Sequence, residues 1–175
     1  QKYNDNVAAI RLVNEIEADG RQATEAEQRV LARYVGWGGI KQAFPNPNNP
    51  PAKGWEKRVA EIRDLLTPEE HEAAARSIQD AHYTSKTVVQ GMWNIARRLG
   101  FDGGKVLEDS MGTGNFFGLM PQDLRAGSSL TGIELDSITA RIAKQLYPKA
   151  IILGPVGCHE VSLADNTFNL NIGNQ

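Results

Sequence analysis

One stretch constrains this chain more than any other: Lys105-Val106-Leu107-Glu108, then Asp109-Ser110-Met111-Gly112-Thr113-Gly114-Asn115-Phe116-Phe117-Gly118. A short apolar run that breaks into closely spaced glycines and resumes as a helical run reads as a strand-to-helix junction. Glycines at such a junction let the backbone approach a ligand closely at the carboxyl edge of a sheet. The alternation then repeats. Ser129 to Leu135 reads as a second strand, Ser137 to Leu146 as a helix, Ala150 to Leu153 as a third strand and Phe168 to Ile172 as a fourth. Strand–helix alternation with short connections implies a parallel sheet with helices packed on it. The expected fold is therefore α/β, with about four parallel strands.

The chain before this region reads differently. Val7, Ile10, Val13 and Ile16 recur at helical spacing, and Gly20 is a plausible stop. Thr24-Glu25-Ala26-Glu27 has the capping-box pattern and opens a second helix carrying Val30, Leu31 and Tyr34, ending at Gly36-Trp37-Gly38-Gly39. The segment Pro45 to Pro51 is too rich in proline for a helix or a central strand. Trp55, Val59, Ile62 and Leu66 suggest a third helix, and Thr67-Pro68-Glu69-Glu70 has the cap, the first-turn proline and the acids that start a fourth. Val88, Val89, Met92, Trp93, Ala96 and Leu99 mark a further amphipathic helix that starts near Thr84-Ser85 and is closed by Gly100. The expected organisation is a helical region over 1–80 and an α/β region over 81–175.

Composition limits the function classes. With 41% hydrophobic and 23% charged residues, the 175-residue chain has the make-up of an ordinary globular protein rather than a disordered one. No apolar run approaches the roughly 20 residues of a membrane-spanning helix, and the first residues lack a signal-peptide pattern. The single Cys158 cannot form an intrachain disulfide, which fits a reducing compartment, so a cytoplasmic location is expected. The net charge is −2, without a basic half. Apart from Arg97-Arg98, nothing forms the basic face with which a domain grips nucleic-acid phosphates.

The glycine loop asks for a particular ligand. The dinucleotide fingerprint is G-x-G-x-x-G, whereas Gly112 and Gly114 are followed by Gly118, one place late. Glu108 and Asp109 stand just before the loop, where they repel a pyrophosphate but not a cation. Glu134 ends the second strand about 20 residues beyond the loop, where an acid can accept hydrogen bonds from both ribose hydroxyls. A cationic adenosine without phosphates describes S-adenosylmethionine.

These residues resemble the class I S-adenosylmethionine-dependent methyltransferases, and among them the amino-methylating DNA adenine methyltransferases. The run Val106 to Phe116 is similar to their first motif, with Asp109 where proline is usual. Ala81-His82-Tyr83-Thr84-Ser85 is similar to the aromatic-Thr-Pro segment that lies over the methionine end of the cofactor, with Ser85 in place of proline. Together with Gly36-Trp37-Gly38-Gly39 and the run Gly132 to Pro148, they resemble the methylase portions of very large helicase–methylase proteins of phages and conjugative elements. The likeness is strong over 81–148 and looser before it.

The resemblance implies a Rossmann-like class I methyltransferase sheet, here its amino-terminal half, with strand order 3-2-1-4. It implies that Glu108, Gly112 and Gly114 line the methionine moiety, with Ser110 and Asn115 of the same loop among the cofactor-binding residues. Tyr83 and Thr84 close over it, Glu134 binds the ribose and Leu135 packs on the adenine. Glu160, in Gly157-Cys158-His159-Glu160, stands in for the third-strand acid that contacts the adenine amine. The catalytic motif of the family is Asn or Asp, usually Pro-Pro, then an aromatic; its side-chain oxygen and a backbone carbonyl accept hydrogen bonds from the adenine amine of a flipped-out base. Asn174 stands where this motif begins, without the proline and aromatic. The expectation is a cofactor-binding part of a DNA adenine methyltransferase, catalytically incomplete by itself. DNA would be met by regions outside this chain, and the edge of the fourth strand covered by a helix, another chain or self-association.

Two other readings stay open: a non-catalytic scaffold or interaction module of a large mobile-element protein, and a nucleotide-binding oxidoreductase, against which the late third glycine and the acids argue. Cys158 and His159 lack a second Cys, and His71 and His82 are far away in sequence, so no metal site is expected. Trp37 between glycines reads as a packing aromatic, with base stacking the alternative.

Overall fold

The computed structural model describes residues 1–46, 48, 50–78 and 84–174. The chain divides into two compact units, Gln1–His82 and Tyr83–Gln175.

In the first unit, helix α1 (Lys2–Ala18) buries Tyr3, Asn6, Val7, Ala9, Ile10, Val13 and Ile16. Steps of three and four residues bring these onto one side of the helix. The buried Asn6 is satisfied on both sides: its amide nitrogen donates to the Gly36 carbonyl at 2.6 Å, and its oxygen accepts from the Val35 N–H at 3.0 Å. Helix α2 (Glu25–Leu31) starts in the expected capping box of Thr24 and Glu27. It stops at Leu31, short of Tyr34, because Arg33 and Tyr34 donate to the carbonyls three residues back rather than four and so tighten the chain. A single 3₁₀ turn (Lys41–Ala43) precedes α3 (Glu56–Leu65) and α4 (Pro68–Ser77), the latter capped by Thr67 with Pro68 in its first turn. Trp37 is buried, edge-on to Phe44 at 5.1 Å and to Tyr3 at 6.4 Å. It packs.

The second unit opens with α5 (Lys86–Arg98), capped by Ser85. Then follow β1 (Gly104–Glu108), α6 (Asn115–Gly118), α7 (Gln122–Ala126), β2 (Ser128–Ile133), α8 (Ser137–Leu146), β3 (Ile151–Leu153), a 3₁₀ turn (Cys158–Glu160) and β4 (Leu170–Asn171). The strands form one sheet in the order β3-β2-β1-β4, every pairing parallel. This is the expected α/β architecture and order. β4 is two residues long rather than five, and α7, too short to show a helical period, was not expected.

Two apolar clusters hold the helices to the sheet. Val89, Trp93 and Ala96 of α5 pack with Val106, Phe116, Met120, Leu124 and Ile172. Met111, Phe117 and Ala143 form the other cluster, with Tyr147 and Ile152 against it. The neighbours Phe116 and Phe117 thus enter different clusters and fix how α6 sits. Trp93 is fully buried, and its indole N–H donates to the Phe116 carbonyl at 3.0 Å. Truncating such a side chain to alanine costs about 3–5 kcal/mol. Among the described residues, no helix is long and apolar enough to cross a membrane.

Candidate functional site

The strand order creates the site. From β1 the chain moves to β2 on one side, while β4 lies on the other. The loops leaving the carboxyl ends of β1 and β4 therefore diverge, and in open parallel sheets ligands bind in the crevice at such a switch point. After β4, the Ile172 N–H donates to the Leu107 carbonyl at 2.9 Å, which carries Gly173 against the end of β1. A Cβ on Gly173 would lie 3.6 Å from Asp109 Oδ1 and 3.9 Å from Glu108 Cγ. The next residue, Asn174, donates through Nδ2 to Thr84 Oγ1 at 3.2 Å. Thr84, the neighbours Glu108 and Asp109, and Asn174, from three separate stretches of the sequence, thus gather at one edge.

The glycine loop lies beside them. Gly112 (φ 56°) and Gly114 (φ 78°) both take the left-handed conformation that favours glycine. Two bonds tie the loop to the end of β2: Met111 N–H to the Ile133 carbonyl at 3.0 Å, and Gly112 N–H to Glu134 Oε2 at 2.7 Å. The other oxygen of Glu134 accepts from the Asp136 N–H at 2.7 Å. Burial raises the pKa of Glu134, while the N–H donors of Asp136 and Gly112 favour its charged form. Each carboxylate oxygen has a second lone pair, so the same group can also accept from hydroxyls.

Glu108 is the least expected group in its state. It is 2% exposed, and its Oε2 has no hydrogen-bond partner among the described residues. Burial, followed by the charges of Glu134 and Asp109, pushes its pKa up to about 9. At neutral pH the carboxyl is therefore protonated, in a place where an arriving cation would stabilise its charged form.

The remaining predicted residues fall out differently. Ser110 is exposed, and Asn115 is half-buried as the first residue of α6. Leu135 is 67% exposed, open for contact. Glu160 is exposed, and its Oε2 accepts from the Gly157 N–H at 2.7 Å, closing its own 3₁₀ turn. Tyr83 lies outside the described residues. One residue escaped the sequence reading altogether. Tyr147, just after α8, donates its hydroxyl to the Gly114 carbonyl at 2.7 Å. The late glycine Gly118 was the available signal, since a Cβ there would lie 2.9 Å from that hydroxyl.

No family model matches this chain. Over 170 residues, 97% of the chain, it is 28% identical to "Defense against restriction protein B" of Escherichia phage P1, and it spans 6% of that protein's length. A crystal structure of a candidate class I S-adenosylmethionine-dependent methyltransferase from Listeria monocytogenes aligns with 97% of this chain and 56% of its own, at 13% identity and a TM-score of 0.44. The sheet order itself rests on the strand pairing described above.

Proposed function

We propose that this chain binds S-adenosylmethionine at the carboxyl edge of β1 and β2, as the cofactor-binding part of a DNA adenine methyltransferase of phage or mobile-element type. The observation that carries this reading is the buried carboxyl of Glu108, one oxygen without a hydrogen-bond partner among the described residues, next to a left-handed glycine loop. A carboxyl in that state fits an ammonium group, and with Asp109 beside it disfavours a phosphate. When bound, the cofactor supplies an electrophilic methyl group.

In this reading Glu108 gives up its proton and accepts from the ammonium of the methionine moiety. Glu134 keeps the loop N–H and offers its remaining lone pairs to the ribose hydroxyls. Gly112 and Gly114 allow the backbone to come close without a side chain. Asn174 would accept from the amine of a target adenine. Its Nδ2 is held by Thr84, so the opposite amide atom, Oδ1, is the acceptor such an amine needs. The name of the phage P1 relative, defence against restriction, suits a protein that modifies DNA and supports the reading by analogy. DNA itself is met by surfaces outside these residues.

Calorimetric titration tests the assignment. S-adenosylmethionine is expected to bind saturably, Glu134→Ala to weaken it several-fold or more, and NAD to show no binding. A chain that takes up NAD but not S-adenosylmethionine would overturn the reading in favour of an oxidoreductase.

A further inference from the structure

We propose that Tyr147 is a positioning residue, a clasp that holds the glycine loop in its left-handed form through Gly114 and Gly118. The inference rests on the reading of this loop as the cofactor site and adds the part that keeps it in shape.

Tyr147 is itself firmly placed. Its N–H donates to the Ala143 carbonyl at 2.9 Å, and its carbonyl accepts from the Ala150 N–H at 2.9 Å, so the backbone is fixed where α8 ends. Its ring meets Phe117 edge-on, with centroids 5.6 Å apart, and the Arg125 guanidinium lies 5.9 Å from its centroid. From that base the hydroxyl reaches the Gly114 carbonyl, which also accepts the Gly118 N–H at 2.8 Å. Both lone pairs of one carbonyl are thereby used, one by the first turn of α6 and one by the clasp. Because the peptide is planar, fixing the Gly114 carbonyl also fixes the direction of the Asn115 N–H. The hydroxyl remains a donor over the physiological range, since burial pushes its pKa up to about 12.

The glycines fit the clasp from the other side. A Cβ on Gly114 would run into the Tyr147 ring and come within 3.1 Å of Met111 Cε, and a Cβ on Gly118 would lie 2.9 Å from the Tyr147 hydroxyl. Gly114 and Gly118, neighbours on one helical turn, therefore share one small volume with the distant Tyr147. That accounts for the third glycine at 118, a position where the dinucleotide pattern does not put one.

The test is a double-mutant cycle of Tyr147→Phe and Gly118→Ala in the full chain, read by amide hydrogen exchange and by S-adenosylmethionine titration. Tyr147→Phe keeps the ring, so the unit stays folded. Exchange should speed up about fivefold in residues 112–118 while β1 and β2 exchange as before, and S-adenosylmethionine should bind roughly five- to tenfold more weakly. Gly118→Ala should loosen the same loop. Its effect should shrink when Tyr147→Phe has already vacated the hydroxyl's place, a coupling that independent sites do not show. The clasp is overturned if Tyr147→Phe leaves loop exchange at the wild-type rate, if it speeds loop and strands alike, or if the two changes add without coupling. A wild-type chain that fails to bind S-adenosylmethionine, yet shows the coupled exchange, would support the clasp and overturn the cofactor assignment.

Discussion

Glu108 shows how much one residue's surroundings can say about a ligand. In the folded chain its carboxyl keeps its proton up to about pH 9, whereas in an unfolded chain it titrates near the ordinary value of about 4.3. Between these values the folded state binds more protons than the unfolded state, so this group makes stability fall as pH rises from about 4.5 to 9. Glu108→Gln removes the dependence. Urea unfolding should show the variant more stable than wild type at pH 8, by on the order of 2 kcal/mol or more, with the gap closing toward pH 4.5. Cofactor binding should respond in the opposite direction. If binding requires the charged carboxylate, wild-type affinity should rise between pH 6 and 7.5, by up to about tenfold per unit, and Glu108→Gln should both weaken it and flatten the profile. A flat wild-type profile would remove the ammonium role from Glu108. The position of this acid was legible from the sequence, as the end of an apolar run just before the glycines. Its protonation was not, because that depends on burial and on Glu134, which folding brings across from a different strand.

At the scale of elements, the loop shows how strain and packing add. Gly114 and Gly100 both have positive φ, 78° and 95°. A Cβ on Gly100 would have no heavy atom within 4 Å, whereas one on Gly114 would strike Tyr147 and crowd Met111. Gly100→Ala should therefore cost only the left-handed penalty, about 1 kcal/mol. Gly114→Ala should cost more, about 2–4 kcal/mol, and abolish ligand binding, because ring and loop cannot both keep their places. Equal losses for the two variants in denaturant unfolding would show that Tyr147 adds nothing at Gly114. Much of this level was readable beforehand. The capping boxes at Thr24 and Thr67 and the cap at Ser85 follow from local patterns, and the parallel sheet from the alternation of strand and helix, whereas the strand order came only with the resemblance to class I methyltransferases. What was missed has two causes. The early end of α2, the five-residue α7 and the two-residue β4 are shorter than a periodic signal needs, and the bond from Tyr147 to Gly114 spans 33 positions. Local pattern finds the elements and the loop; only the fold finds what holds the loop.

For the molecule as a whole, charge decides what it can hold unaided. The net charge is −2, and among the described residues five of the 19 Lys and Arg side chains are paired with carboxylates. Arg11 pairs with Glu61, Arg21 with Glu27 and Asp19, Arg29 with Glu25, Arg76 with Glu72, and Arg97 with Asp123. Arg97 is half of one of two adjacent basic pairs in the sequence, the other being Lys57-Arg58, and it has its own carboxylate. Non-specific affinity for DNA comes from neutralised phosphates and released counterions, and typical dissociation constants lie at about 1–100 μM in physiological salt. A net charge of −2 without a basic half does not favour it. Fluorescence anisotropy with a short duplex should give no saturable binding tighter than about 100 μM at physiological ionic strength, with or without S-adenosylmethionine, while the cofactor still binds. Lowering the salt should bring little gain, because few contacts exist to be unscreened. Tight binding that fell steeply with added salt would mean that a phosphate-gripping surface lies within these residues, and the division of labour proposed above, cofactor here and DNA elsewhere, would be wrong.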